Sequence, residues 1–270
     1  MPQNLLGIHG VVGLICVVGE GGKILHFAGD LYEPREVLSP TENTLRAVWI
    51  DSPQSAWAVG DGGTVLHWDG RLWHPVALAS KHDALLSVWG CGGDIWIGGA
   101  HRLILHRPYS VGGMLVSTQH TVKGIWGTGK NDVWLLANDA TVIHIGGDKY
   151  QQVPISTLAS DRYNAIGGNT SEDVFIVGDK GLMGRWDGAG WTDLPTCTGE
   201  NLNAVCGGDA GDAWAVTSRG ELLHYGGIGW ETAAVVLAGL NGVYMVDGVV
   251  WCCGKRGIVV QHLPEQGDGG

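Results

Sequence analysis

The chain has 270 residues, 27 of them acidic and 16 basic, for a formal net charge of −11 at pH 7 with the histidines neutral. With no cluster of four or more basic side chains it has little means of neutralising phosphates. A nucleic-acid partner is therefore excluded from the expectations, and the acidic balance reads as solubility. Glycine takes 46 positions, far above the roughly 7 % of average usage and without a triplet period, which predicts turns between many short strands.

The chain opens Met-Pro-Gln-Asn with no basic segment, and glycines break its first apolar run, so no signal peptide is read and a cytoplasmic location is expected. No apolar stretch approaches the ~18–20 residues that cross a bilayer, so membrane insertion is not expected. The cysteines (Cys16, Cys91, Cys197, Cys206, Cys252 and Cys253) show neither zinc-ligand spacing nor a paired pattern and read as free thiols. Cys252 and Cys253 are neighbours in a predicted strand and should face opposite ways.

From residue 5 the chain repeats itself. Each copy starts with an apolar residue, two variable or small ones and then Val or Ile, at 5–8, 45–48, 85–88, 122–125, 163–166, 202–205 and 240–243. A turn follows, then a second segment such as Ala56-Trp57-Ala58-Val59-Gly60. A tight turn such as Asp61-Gly62-Gly63 leads to a third, Thr64-Val65-Leu66-His67-Trp68. A two-residue turn such as Asp69-Gly70 or Asp187-Gly188 then precedes a last segment carrying Trp or Tyr, as at Tyr32, Trp73, Tyr150, Trp191 and Trp230. Short β-branched and aromatic runs separated in this way are hairpin signals.

The row His26, His67, His106, His144, Arg185, His224, His262 has spacings of 41, 39, 38, 41, 39 and 38 residues. Four short strands per copy at that period predict an all-β fold: a seven-bladed β-propeller with four-stranded antiparallel blades, the last with three strands and an open edge. One propeller domain is expected over 1–263, with blades near 5–43, 44–84, 85–120, 121–162, 163–200, 201–239 and 240–263, and a flexible tail at 264–270. The residue before each Val or Ile is always small (Gly7, Ala47, Ser87, Gly124, Ala165, Ala204, Gly242), as crowding of innermost strands at an axis demands.

The pieces Arg46-Ala47-Val48-Trp49, the run from Ser55 to Gly70 and Trp73 resemble the bacterial propeller repeats written VWG…DVWAVG..GTILHWDG..W, which are similar to Asp-box propellers. The likeness extends over about 5–263 and implies a propeller without implying an activity. Members of that group are exported or lipid-anchored.

The histidine row invites a metal reading that geometry rejects. Strands lie about 4.8 Å apart, so a third strand stands at least ~10 Å from the axis and its neighbours in the ring more than ~8 Å from one another. Zinc requires ligand nitrogens within about 4 Å of each other. His67 is instead expected to bond within its own blade. The tryptophans at 49, 89 and 126, and at 57, 96, 134, 214 and 251, read as packing between blades. No G-x-S-x-G elbow, phosphate loop or H-E-x-x-H pair is present. No catalytic residue, metal or cofactor is therefore assigned.

Two residues before each Val or Ile the column reads Leu6, Arg46, Leu86, Lys123, Asn164, Asn203, Asn241. Its polar members break the repeat near the start of the innermost strand, so Arg46, Lys123, Asn164, Asn203 and Asn241 form the candidate binding site at one mouth of the channel. The leading expectation is a non-enzymatic, WD-like scaffold for a protein partner or larger assembly. The alternatives are a glycan-binding, lectin-like propeller, and a lyase or hydrolase centred at the channel mouth.

Overall fold

Strand formation follows a burial gradient across each repeat. In the computed structural model the second segment of each copy lies between neighbouring sheets and is buried on both faces. Leu14–Gly19 and Asp173–Gly178 are buried throughout, and Ser55–Gly60, Asp132–Ala137, Asp212–Thr217 and Val249–Gly254 at every position after the first. Such a strand has no solvent face, which is why its sequence is a continuous apolar run rather than an alternation. The last segment lies at the rim, where Glu33–Glu36 is exposed at every residue.

The structure describes residues 2–28, 33–77, 83–100, 102–106, 114–117, 120–147, 149–155, 162–208 and 211–263; for 102–106, 114–117 and Tyr150 it describes the backbone alone. Tyr32, residues 81–82 and 156–161, and the expected tail at 264–270 lie outside these residues.

The strands run in chain order as β1 Leu5–Val11, β2 Leu14–Gly19, β3 Ile24–Ala28, β4 Glu33–Glu36; β5 Leu45–Ser52, β6 Ser55–Gly60, β7 Val65–Trp68, β8 Trp73–Pro75; β9 Leu85–Cys91, β10 Asp94–Gly99, β11 Arg102–His106, β12 Met114–Ser117; β13 Val122–Gly129, β14 Asp132–Ala137, β15 Thr141–Gly146, β16 Lys149–Pro154; β17 Tyr163–Thr170, β18 Asp173–Gly178, β19 Met183–Trp186, β20 Trp191–Asp193; β21 Leu202–Gly207, β22 Asp212–Thr217, β23 Glu221–Gly226, β24 Trp230–Val235; and β25 Leu240–Val246, β26 Val249–Gly254, β27 Val259–His262. Each group is one antiparallel sheet whose strands pair in sequence order. The fold is an all-β propeller with four-stranded antiparallel blades. Six blades have four strands, where seven blades were expected, and the remaining sheet, β25–β27, has three strands, the number expected of the last copy. The first strands of successive sheets lie side by side around the axis, and β25 lies against β1.

Each first strand carries a β-bulge at the same place. Leu5 pairs with Gly19 and Gly7 with Val18, leaving Leu6 opposite nothing. The same shift sets out Arg46, Leu86, Lys123, Asn164, Asn203 and Asn241. The variable column is thus the column of bulge residues, re-aimed out of the ladder. The small column beside it faces the next sheet: a Cβ on Gly7 would stand 2.9 Å from the Arg46 carbonyl oxygen, and one on Gly124 2.9 Å from Ile166.

The 3–4 turns behave as their sequences predict. Gly70 and Gly188 have φ of 91° and 92°. Asp69 Oδ1 accepts from the Arg71 and Leu72 amides, and Asp187 Oδ1 from those of Ala189 and Gly190. These amides hold both carboxyls below the usual carboxylate range, Asp69 at about 2. All six cysteines are free. Cys252 packs with Val216 and Leu240 towards the preceding sheet, and Cys253 with Ile8 and Val17 towards the first, so the two do face opposite ways.

Candidate functional site at the two mouths of the channel

The structure brings Arg46, Lys123, Asn164, Asn203 and Asn241 together around one mouth, with Leu6 and Leu86 completing the ring, over a cavity of about 270 Å³. Their polar heads are largely engaged in holding the ring together. Lys123 Nζ donates to the Tyr163 carbonyl at 3.2 Å, Asn164 Nδ2 to that of Leu202 at 3.0 Å, Asn203 Nδ2 to that of Leu240 at 2.7 Å and Asn241 Nδ2 to that of Leu5 at 2.8 Å. In every case the acceptor is the residue just before the bulge of the next sheet. One sheet's bulge clasps the next, and the last clasp closes the ring onto the first strand. Arg46 turns instead to Asp61 in its own blade, with Nε–Oδ1 of 2.5 Å and Nη2–Oδ2 of 3.0 Å. Packing therefore accounts for much of what the column's polarity suggested was free for a ligand.

The opposite mouth is wider, about 790 Å³, and its walls come from the residues after each Val or Ile. That column reads His9, Trp49, Trp89, Trp126, Gly167, Cys206, Tyr244. Aromatic rings line five consecutive sheets, from β25 round to β13. His9 sits between Trp49 and Tyr244, its ring centroid 4.0 and 4.1 Å from theirs, and Trp49 lies 5.7 Å from Trp89. The remaining two sheets offer Gly167, Gly168, Gly207 and Gly208 together with the small or polar side chains of Asn169, Thr170 and Cys206, so that wall carries no aromatic ring.

The Trp-Gly pairs of the repeat now have a physical reason. A Cβ on Gly90 would stand 2.8 Å from the Trp49 indole nitrogen, one on Gly127 3.1 Å from Trp89, and one on Gly168 3.1 Å from Trp126. Each tryptophan lies over the glycine of the following sheet, as the interblade packing expectation held.

His9 is 6 % exposed, and its Nδ1 accepts the Ile50 amide at 3.1 Å, so in the neutral ring the proton sits on Nε2. That Nε2 has no hydrogen-bond partner among the described residues. Burial pulls the His9 pKa down to about 3, which keeps the ring uncharged at neutral pH. Burial pushes the Cys206 thiol up and the Tyr244 hydroxyl to about 12, so neither supplies an anion there. The chemistry of this mouth is that of neutral rings and, on the far arc, glycines with small or polar side chains.

The histidine row is structural and differs from the expected one in two places. Trp57 pairs with His67, Trp134 with His144, Trp214 with His224 and Phe175 with Arg185. The member opposite Trp96 is Leu105, not His106, and the member opposite Trp251 is Gln261, not His262. A one-residue slip in a strand turns a side chain to the other face. His67 Nε2 lies 3.5 Å from Ser55 Oγ in its own blade; His144 pairs with Asp132 at 2.6 Å and stacks on Trp134 at 4.2 Å. Arg185 takes the same place, pairing with Asp173 at 2.6 Å. The signal for these pairs was present in sequence: Asp132, Asp173 and Asp212 each precede the paired ring by two residues and so share its face. Among the described residues no group of three His, Cys, Asp or Glu side chains is arranged to hold a metal ion.

No protein-family model matches the chain, and no curated protein matches it. Solved structures do. The chain is similar to "YCF48 bound to D1 peptide" (TM-score 0.76, 13 % identity, covering 97 % of this chain and 93 % of that one) and to YCF48 from Cyanidioschyzon merolae (0.74, 16 %, 98 % and 96 %). It is also similar to the WD40 β-propeller domain of Doa1 (0.80, 14 %, 98 % and 94 %). At these identities the likeness establishes the fold: this chain is a β-propeller.

Proposed function

We propose that the chain is a non-enzymatic scaffold that binds an extended segment of a partner protein at the wide mouth, β25–β27 counting as the seventh blade of the ring. The observation that carries the reading is the asymmetry of that mouth. Aromatic rings line one arc, and glycines with small or polar side chains the other, so the ring presents one composite site rather than seven equivalent ones. A repeating glycan site would reuse one pocket from blade to blade. A peptide finds here apolar rings for its side chains and amide groups for its main chain. The YCF48 structure with a bound D1 peptide supports the reading, as a fold of this shape holding a polypeptide segment. We place the repeat with the bacterial VWG…GTILHWDG..W group on the residues quoted above.

The test is selection of peptides from a displayed library on the purified chain, scored against two sets of variants. Tyr244→Ala and Trp49→Phe, at the wide mouth, should weaken selected peptides at least tenfold. Arg46→Glu and Lys123→Glu, at the narrow mouth, should leave binding within a factor of two. The opposite pattern would move the site to the narrow mouth. Selective retention on a glycan array with no peptide binder would replace the reading with the carbohydrate one.

A further inference from the structure

Three junctions of the ring contain the same three-ring arrangement. Trp134 from one sheet stands 5.4 Å from Trp186 and 6.2 Å from Trp191 of the next, with Trp186 and Trp191 5.9 Å apart. Phe175 stands likewise to Tyr225 and Trp230 at 5.3 and 6.0 Å; at the third junction the first ring is His26 of the third strand β3, 4.8 and 6.1 Å from Trp68 and Trp73. In each, the third ring is the Trp that opens a fourth strand, paired opposite the middle ring: Trp191 with Trp186, Trp230 with Tyr225, Trp73 with Trp68.

At the junction into β25–β27 two of the three rings are in place. Trp214 stands 5.4 Å from His262, and His262 occupies the register of Trp186 and Tyr225. The slip that removes His262 from the histidine row is what puts it here. Among the described residues no third ring and no fourth strand follows. Val259 and Val260 are accordingly half-buried, where Val65, Leu66, Leu222 and Leu223 in the corresponding places are buried.

We propose that the edge of β27, unpaired among the described residues, is a strand-addition site for a partner segment that enters antiparallel, with an aromatic residue opposite His262. The other blades give the register. In β24 the Trp is followed by a polar residue opposite the histidine row, then by small and β-branched residues, and the exit is tied by Val236 N–H donating to the Gly220 carbonyl. The corresponding exit in the last sheet runs by Gly257, beside Lys255 and Arg256. Neither cation has an ion-pair partner among the described residues, so the incoming strand should end in acidic side chains. The partner is therefore an aromatic-polar-β-branched segment with an acidic end, held by main-chain bonds along the edge and by one ring in the vacant place. This site is separate from the wide mouth and does not depend on the function proposed there.

The experiment uses the full chain and a labelled synthetic peptide built on Trp230–Val235 with two glutamates appended, read by fluorescence anisotropy. Saturable binding is expected, weakened at least tenfold by replacing the peptide's Trp with Ala. Lys255→Glu with Arg256→Glu should weaken it about tenfold, and a peptide with lysines in place of the glutamates should restore it. A second variant, in which the tail is replaced by the turn and strand at 227–236, fills the edge in cis and should not bind, while its circular dichroism matches that of the parent. Absence of binding to the parent overturns the proposal, as does equal binding to the filled variant. Self-association of the parent that the filled variant loses would assign the edge to a second copy and overturn the partner reading.

Discussion

Asn164, Asn203 and Asn241 do at three junctions what Leu6 and Leu86 cannot do at theirs, donating a side-chain N–H to the backbone of the next sheet. A hydrogen bond of this kind contributes about 1 kcal/mol net, and its loss leaves the carbonyl without that partner. Asn203→Leu and Asn241→Leu should each lower stability by about 1–2 kcal/mol in urea unfolding, while Arg46→Gln, which breaks a half-exposed ion pair, should change it by less than about 1 kcal/mol. His9 gives a pH dependence. Its folded pKa of about 3 lies below the ordinary 6.5, so between these values the unfolded chain binds a proton that the folded chain refuses. Stability is therefore full above about pH 6.5 and falls as pH drops, by about 1.4 kcal/mol per unit well below 6.5. His26, lowered to about 4 by burial and then by Arg35, adds a second proton over a narrower window. Unfolding midpoints taken from pH 7.5 to 4.5 should show this slope, and His9→Phe should remove about one proton from it.

At the scale of the strand, the first strands combine three columns with three tasks: a bulge residue that clasps, a small residue that lets the next sheet approach, and a residue that builds the wide mouth. The Trp-Gly pair couples neighbouring strands through the tryptophan of one and the glycine of the next. A Cβ on Gly127 would stand 2.4 Å from the Asp132 carbonyl oxygen as well as against Trp89, whereas one on Gly129 meets nothing within 4 Å. Gly127→Ala should therefore cost about 1–3 kcal/mol in thermal unfolding, and Gly129→Ala should be close to neutral.

At the scale of the molecule, closure couples the two ends of the described chain. Asn241 binds Leu5, the Arg256 amide donates to Asn4 Oδ1 at 3.1 Å, and Cys253 packs with Ile8. An open stack loses only its last unit when truncated, because each unit touches only its neighbours. Removing 240–263 from this ring bares the apolar faces of β1–β2 and of β21–β22 together. Loss of hydrogen-exchange protection in β1 and β2 as well as in β21 and β22 is the expected outcome. Protection unchanged in β1 and β2 would mean that the ring is not energetically closed.

The repeat period, the apolar second segments and the Asp-Gly turns determine the blade by local physics: a strand buried on both faces must be apolar, and a positive φ selects glycine. The small column likewise announced crowding at an axis. The last copy was expected to form three strands, and among the described residues β25–β27 has three. Register was legible only to within one residue: His106 and His262 look like members of the histidine row until pairing with Trp96 and Trp251 puts Leu105 and Gln261 there. The candidate residues Arg46, Lys123, Asn164, Asn203 and Asn241 could be gathered at one mouth from their position in the repeat. Their engagement with the next sheet could not be foreseen, because the acceptors are backbone carbonyls about 40 residues away in sequence and carry no side-chain signature. The wide mouth was hidden for a related reason. Trp49, Trp89 and Trp126 read as packing, which they are, and only closure of the ring turns their other faces, with His9 and Tyr244, towards a common cavity.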